Sequence, residues 1–209
     1  MRPAIMHLKA PAAFRFALAV AAALTLALLF FNAPSRSHAN RSVVSALPAA
    51  DFSSYNDEAA AAAELLNARE GSVSDMISAM ESGGSFITLF AFSSCPYCNA
   101  AIPAMSEALD DMGSEVLYIN TRSDPSWESN LDIDGYGQLV SIVGDRLPLD
   151  EDGREHLYVP HLFFIRDGNV VADVAGLGGD DASLDSFARG SEAWCAYAGE
   201  VKAAAELIA

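Results

Sequence analysis

The chain has 209 residues, of which 12 are basic and 28 are acidic, and this length suits one domain of ordinary size with extensions. Five basic residues and no acid lie in residues 1–41, so the remaining seven basic residues face all 28 acids, a formal net charge of −21. A domain this acidic repels phosphates, which excludes nucleic-acid binding. Many of the apolar residues are alanines and many lie near the N-terminus, so the composition does not indicate a multi-span membrane protein.

Residues 1–40 have the features of an export segment. Basic residues up to Arg15 precede an apolar run over 16–31, and a small-residue cleavage motif follows at 37–39. The uncharged interval is also long enough to cross a bilayer as one helix. A cleaved signal peptide and a retained membrane anchor therefore both remain open. Because the positive charge precedes the run, either one predicts an extracytoplasmic domain, secreted or membrane-anchored.

The residues after this segment predict a linker and two helices. Residues 41–71 are first rich in Ser, Ala and Pro and then combine acids with five consecutive alanines, so they are interpreted as a linker and helical spacer. The alanine-rich helix is equally compatible with a place in the fold. A capped helix is predicted over 72–82, where Ser72 precedes apolar residues at helical spacing. The globular domain is placed at 72–209.

From residue 85 onward, short apolar runs alternate with helices. A buried strand is predicted over 85–92, then a helix that runs to about residue 112, then a strand over 115–121. Such a βαβ unit predicts parallel strands. A helix near 135–144 follows.

The C-terminal part is predicted to form a hairpin and a last helix. Residues 161–176 form two apolar runs around an Asp-Gly turn at 167 and 168, and the helix covers 183–207 with a break at Gly190. The element order is typical of an α/β domain.

The motif Cys95-Pro96-Tyr97-Cys98 lies between the first predicted strand and its helix. Cys95 would occupy the helix N-terminus, where unsatisfied N–H groups and the helix dipole lower the pKa of a thiol and make it the attacking sulfur. Pro96 suits the first helical turn. Cys98 lies about one turn further on, close enough to resolve a mixed disulfide on Cys95.

These residues resemble the thioredoxin superfamily over roughly residues 72–207. The strand before Cys-Pro-Tyr-Cys, Pro103 five residues after the second cysteine, and Val159-Pro160 before the hairpin carry the resemblance. It implies a thioredoxin-like fold, with a central mixed sheet flanked by helices, and a cis Val159-Pro160 bond. Within the superfamily, the chain is most similar to bacterial extracytoplasmic thioredoxin-like proteins of the bacteriocin transport accessory type.

The resemblance also implies site residues. Cys95 and Cys98 would be catalytic, and the substrate groove would be formed by Val159, Pro160, Pro96 and Tyr97. Leu89 departs from the pattern, because the superfamily has a buried acid six residues before the first cysteine that assists proton transfer to the buried thiol. The Pro-Tyr pair and Gly178-Gly179-Asp180 resemble glutaredoxins instead, so the direction of electron flow stays open.

Metal sites are the alternative to this interpretation. His156 and His161 follow the cysteines, but a spacer of 57 residues far exceeds that of a zinc finger, so both are predicted to be surface residues, with His161 near enough to Cys95 to influence its thiolate. Residues 130–135 resemble the start of a calcium loop, but Ser141 stands where a glutamate would close it. No metal or cofactor is expected.

Cys195 makes the number of cysteines odd, so at least one thiol is unpaired in the chain or pairs only transiently. It is predicted to be a buried small residue beside Trp194, with an intermolecular disulfide as the alternative.

The sequence therefore predicts an extracytoplasmic thiol–disulfide oxidoreductase. Its partners would be cysteine-containing proteins or peptides, a redox-recycling partner and, if the N-terminal helix is uncleaved, the membrane. Three alternatives stay open: a secreted binding or accessory module without redox turnover, a glutaredoxin-like reductase, and a purely structural Cys95–Cys98 disulfide.

Overall fold

A computed structural model describes residues 42–123, 128–131, 133–178 and 183–209, with Arg41–Ala209 as one compact unit. The predicted signal peptide or anchor at residues 1–40 lies outside the described residues. Across the described ranges, no helix has the length and apolar character needed to cross a membrane.

Five strands form one mixed sheet in the order β1-β3-β2-β4-β5. Strands β1, β2 and β3 are parallel, β4 runs antiparallel to β2, and β5 runs antiparallel to β4. The strand bounds are β1 Asn67–Glu70, β2 Phe86–Ala91, β3 Glu115–Asn120, β4 His161–Arg166 and β5 Asn169–Ala175. The predicted parallel βαβ unit and the C-terminal hairpin are confirmed.

Helices cover both faces of this sheet. Three of them (α1, α3 and α5) contribute to one buried cluster, and two (α2 and α4) contribute to the cluster on the other face. The helix bounds are α1 Asp57–Ala63, α2 Val73–Glu81, α3 Pro96–Leu109, α4 Ile133–Val143 and α5 Glu192–Glu206. A mixed sheet between two helical layers is the arrangement that the resemblance implies.

Strand β2 is the centre of the sheet, and all six of its residues are buried. Ile87, Leu89 and Ala91 join the cluster under α3, whereas Phe86 and Phe90 join the opposite cluster. A strand buried on both faces reads as a continuous apolar run, which is why the sequence reveals it. Its C-terminal end leads directly into the cysteine motif.

Local signals set the ends of several elements. Ser72 accepts a hydrogen bond from the Asp75 N–H, and the Asp75 carboxylate accepts one from the Ser72 N–H, which makes a capping box at the start of α2. The hairpin turn has positive φ at Asp167 and Gly168. A Cβ on Gly168 would lie 2.2 Å from the Met80 carbonyl oxygen, so only glycine fits there.

Residues 42–71 are not the predicted linker and spacer. Strand β1 pairs in parallel with β3, and Phe52, Tyr55 and Ala59 are buried in the cluster under α3. The alanine-rich helix is short because the chain must turn after Ala63 to enter the sheet edge. Strand pairing with β3 overrides the helical propensity of Asn-Ala-Arg-Glu, and the fold therefore begins well before residue 72.

Candidate active site

Cys95 occupies the N-cap of α3 and is separated from the end of β2 by residues 92–94. Its sulfur accepts a hydrogen bond from the Cys98 backbone N–H at 3.2 Å, and Pro96 fills the first helical position, where no N–H is needed. The Cys95 sulfur thus lies at the N-terminal end of α3, where backbone N–H groups lack helical partners. Cys98 lies about one helical turn further along α3 and is buried.

The two thiols have opposite electrostatic environments. A hydrogen bond from the Cys98 thiol is the largest influence on Cys95 and, with backbone N–H groups of Cys98 and Tyr97, it outweighs burial and lowers the pKa of Cys95 to about 7. Burial and the neighbouring Cys95 sulfur raise the pKa of Cys98. Cys95 can therefore be a thiolate at neutral pH while Cys98 keeps its proton.

The second part of the predicted site meets the first at Val159. The Cys95 sulfur lies 3.8 Å from the Val159 carbonyl oxygen, and the Val159-Pro160 bond is cis, as the resemblance implies. Pro160 is buried, and its carbonyl accepts a hydrogen bond of 2.8 Å from the Gly176 N–H. The structure thus brings together residues that are 64 positions apart in the chain.

Pro96 and Tyr97 form the exposed rim of this site. Tyr97 is 42% exposed, Cys95 is only 4% exposed, and Cys98 is 0% exposed. The six residues predicted from the sequence therefore differ in burial. Pro96 and Tyr97 are exposed and Val159 is half-buried, whereas Cys95, Cys98 and Pro160 are buried.

A cavity of about 790 Å³ opens beside Cys95 and Val159. Its far wall comes from the connection between β3 and β4, through side chains such as Tyr136, Val140 and Leu157. The sequence does not predict this wall, because no pattern along the chain shows which side chains fold back toward residue 95.

Asn99 is a site residue that sequence reasoning missed. Its side-chain amide donates hydrogen bonds to the carbonyls of Ser93 at 2.6 Å and Cys95 at 2.9 Å. Its side-chain oxygen accepts a hydrogen bond from the Asn56 backbone N–H at 2.8 Å. Asn99 therefore fixes the turn that carries Cys95 and joins it to the N-terminal part of the fold, a role that no local pattern announces.

The prediction that both histidines lie on the surface is wrong for His161. It is 0% exposed, stacks on Phe163 with ring centroids 4.3 Å apart, and places Nε2 3.3 Å from an Asp173 carboxylate oxygen. His161 is not among the groups that shift the pKa of Cys95. Strand alternation explains this, because His161 points away from the face of β4 that packs under α3. His156 is exposed.

Cys195 is exposed on α5, so its predicted burial is wrong. Trp194 and Tyr197 are the buried residues of this helix turn. The apolar composition around Cys195 did not distinguish which of these neighbours faces the core.

Candidate metal ligands do not converge within the described part of the chain. No group of three or more His, Cys, Asp or Glu side chains there could hold a metal ion. Residue 132 of the calcium-like segment and residues 179 and 180 of the glutaredoxin-like segment lie outside the described residues.

Comparisons with known proteins give structural similarity at low sequence identity. No family model and no curated protein matches the chain. A solved structure described as "A putative oxidoreductase with a thioredoxin fold" has 15% identity and a TM-score of 0.39, over 58% of this chain and 91% of its own. A point mutant of thioredoxin from Halobacterium salinarum NRC-1 has 20% identity and a TM-score of 0.33, over 60% of this chain and 89% of its own.

The fold is thioredoxin-like. That description rests on the chain's own topology: a mixed sheet in the order β1-β3-β2-β4-β5, a cysteine pair where β2 meets α3, and Val159-Pro160 immediately before β4.

Proposed function

We propose that the protein is a thiol–disulfide oxidoreductase that acts on cysteines of other polypeptides through Cys95 and Cys98. One observation carries the proposal: a thiol with a pKa of about 7 accepts a hydrogen bond from a buried, protonated thiol and borders an open cavity. A structural disulfide needs neither a lowered thiol pKa nor access to a cavity.

The reaction follows from this asymmetry. The Cys95 thiolate attacks one sulfur of a substrate disulfide, the substrate S–S bond breaks, and the released substrate sulfur leaves with the electron pair and takes up a proton. Cys98 then loses its proton and attacks Cys95, which forms the Cys95–Cys98 disulfide and frees the second substrate thiol. The substrate gains two electrons and two protons. Both electrons come from the cysteine pair, one proton comes from Cys98, and the other comes from solvent because Cys95 starts as a thiolate.

The surroundings of Cys95 favour a polypeptide substrate. Val159 offers its main chain beside the reacting sulfur. Tyr158 lines the cavity, and both it and Tyr97, the neighbour of Cys98 in the chain, expose their aromatic rings. An extended chain carrying the target disulfide can lie along Val159 while a flanking side chain enters the cavity.

The thiol pKa also bears on direction. A value of about 7 is typical of the reducing pair in thioredoxin, whereas the first thiol of a strongly oxidising pair can have a pKa near about 3.5. Reduction of substrate disulfides is therefore the proposed direction. The enzyme would work outside the cytoplasm, as residues 1–40 predict, and would need a partner that returns electrons to it. Kinship with the bacteriocin transport accessory type stays a prediction.

Turnover assays with matched cysteine variants test this proposal. The full-length protein should reduce insulin disulfides with dithiothreitol as the electron source, and Cys95→Ser should lower the rate to the background of dithiothreitol alone. Cys195→Ser is the control, because Cys195 is exposed on α5 and should leave the rate unchanged. A Cys95→Ser protein as active as the wild type would exclude the proposed function.

A further inference from the structure

Cys98 must lose a proton in an interior that disfavours its thiolate. It is 0% exposed, and burial and the adjacent Cys95 sulfur raise its pKa. Leu89 occupies the position where the resemblance implies a carboxylate for this task, and it is buried. Another polar group must therefore handle the proton if Cys98 is to resolve a mixed disulfide quickly.

Two buried tyrosine hydroxyls lie beside this position. Tyr118 on β3 is the register partner of Leu89 on β2, so their side chains share one face of the sheet, the face that packs under α3. The Tyr118 hydroxyl lies 3.2 Å from the Tyr55 hydroxyl. Both belong to the same buried cluster as Cys95 and Cys98. Tyr55 and Tyr118 are called the tyrosine pair below.

The tyrosine pair is anchored to the helix that carries Cys98. Tyr55 precedes Asn56, whose N–H donates to the Asn99 side chain at 2.8 Å, and Asn99 follows Cys98 directly. The Phe52 ring packs against both members of the pair, with centroids 5.3 Å from Tyr55 and 4.8 Å from Tyr118. These contacts hold the tyrosine pair in the buried cluster that also contains Cys98.

The two cysteine sulfurs influence the pKa of Tyr55. Burial, and after it Tyr118, raises the pKa of Tyr55, and the Cys98 and Cys95 sulfurs add to this effect. The Tyr55 hydroxyl therefore stays protonated, and a phenolic hydroxyl both donates and accepts hydrogen bonds. The titratable groups that act on Tyr55 are Tyr118, Cys98 and Cys95. Cys98 also acts on the buried Tyr197 of α5, and so does Glu200.

We infer that the tyrosine pair takes the place of the missing carboxylate and handles the proton of Cys98. As the Cys98 sulfur bonds to Cys95 and the Cys95–substrate bond breaks, the substrate sulfur leaves with the electron pair. The Cys98 proton passes to one hydroxyl oxygen while that hydroxyl gives up its own proton toward the second hydroxyl and solvent. The inference rests on the proposed function. In this step one hydroxyl exchanges a proton with the Cys98 thiol and the other receives it, so the tyrosine pair acts as a proton relay.

A two-phase reaction with Ellman's reagent isolates this step. Cys95 attacks the reagent and releases one thionitrobenzoate, and Cys98 then displaces the second from Cys95. All proteins in this test, the wild-type reference included, carry Cys195→Ser, because the exposed Cys195 would also react with the reagent. The second phase then measures Cys98 alone. The variants are Tyr55→Phe, Tyr118→Phe and the double variant, which keep the rings and remove only the hydroxyls. Thr88→Val is the matched control, because Thr88 is a buried β2 neighbour of Leu89 whose hydroxyl has no hydrogen-bond partner among the described residues.

The double variant should slow the second phase by at least about tenfold and move its pH midpoint upward, with the first phase unchanged. Thr88→Val should match the wild type in both phases. A double variant whose second phase stays within about twofold of the wild type at every pH would overturn the inference and leave the proposed function intact. A wild-type protein that never releases the second equivalent would overturn both.

Discussion

The reactivity of Cys95 comes from its immediate neighbours. Its sulfur is the acceptor for the Cys98 thiol and for backbone N–H groups at the start of α3, so the thiolate is stabilised although the side chain is largely buried. In this arrangement Cys98 keeps its own proton and donates it in a hydrogen bond to the Cys95 thiolate. Reactivity and resolving power thus depend on a single hydrogen-bonded pair.

This dependence predicts the pH profile of Cys95. The lowered pKa means that its reaction with iodoacetamide should be fast above pH of about 7 and should fall off below it. Cys98→Ala removes the largest stabilising hydrogen bond and should move the midpoint to higher pH. Alkylation at Cys95, followed by mass spectrometry in a Cys195→Ser background, measures both midpoints. Coincident midpoints in the two proteins would contradict the assigned cause.

Prediction from sequence succeeds for the motif and fails for its surroundings. Cys95, Cys98, Val159 and Pro160 stand in short patterns that can be read along the chain. Asn99 is one polar residue among many, and its contacts with segments on both sides exist only after folding.

At the scale of elements, the longer strands and helices with a clear sequence pattern could be predicted. Strand β2 is apolar except for Thr88 and helix α2 begins with a capping box, and both were expected close to their observed bounds. Strand β1 has four polar or small residues and no periodicity. Its state is set by β3, which pairs with it, and not by its own sequence.

The correction at residues 42–71 gives a stability prediction. Phe52 is 7% exposed and packs on two tyrosines of the core, so Phe52→Ala should lower the free energy of unfolding by about 3–5 kcal/mol. Leu65 in the same segment is 65% exposed, and Leu65→Ala should change it by less than about 0.5 kcal/mol. Urea unfolding of both variants measures the difference. Equal stabilities would mean that the segment behaves as a linker.

The order of elements along the whole chain was enough to predict a mixed α/β fold. The cavity beside Cys95 was not predictable, because its far wall is a connection whose side chains meet the motif only through the tertiary fold. The sequence therefore predicts the two cysteines of the proposed redox pair but not the surface that would receive the substrate.

The charge of the whole domain should affect substrate choice. Seven basic residues against 28 acids create a field that attracts positively charged chains and repels negative ones. Disulfide-linked peptides flanked by lysine should therefore react faster than the same peptides flanked by glutamate, and salt should shrink the difference. Stopped-flow rates at low and high ionic strength test this. A preference that salt does not change would assign selectivity to the cavity instead of the field.

The central claim is that Cys95 and Cys98 form a reversible redox pair. Equilibration of the full-length protein with mixtures of reduced and oxidised glutathione, followed by acid quenching and mass spectrometry, measures it most directly. We predict a Cys95–Cys98 disulfide that forms and disappears reversibly, with a reduction potential closer to about −270 mV than to about −120 mV. A protein that forms no such disulfide at any glutathione ratio would contradict the claim.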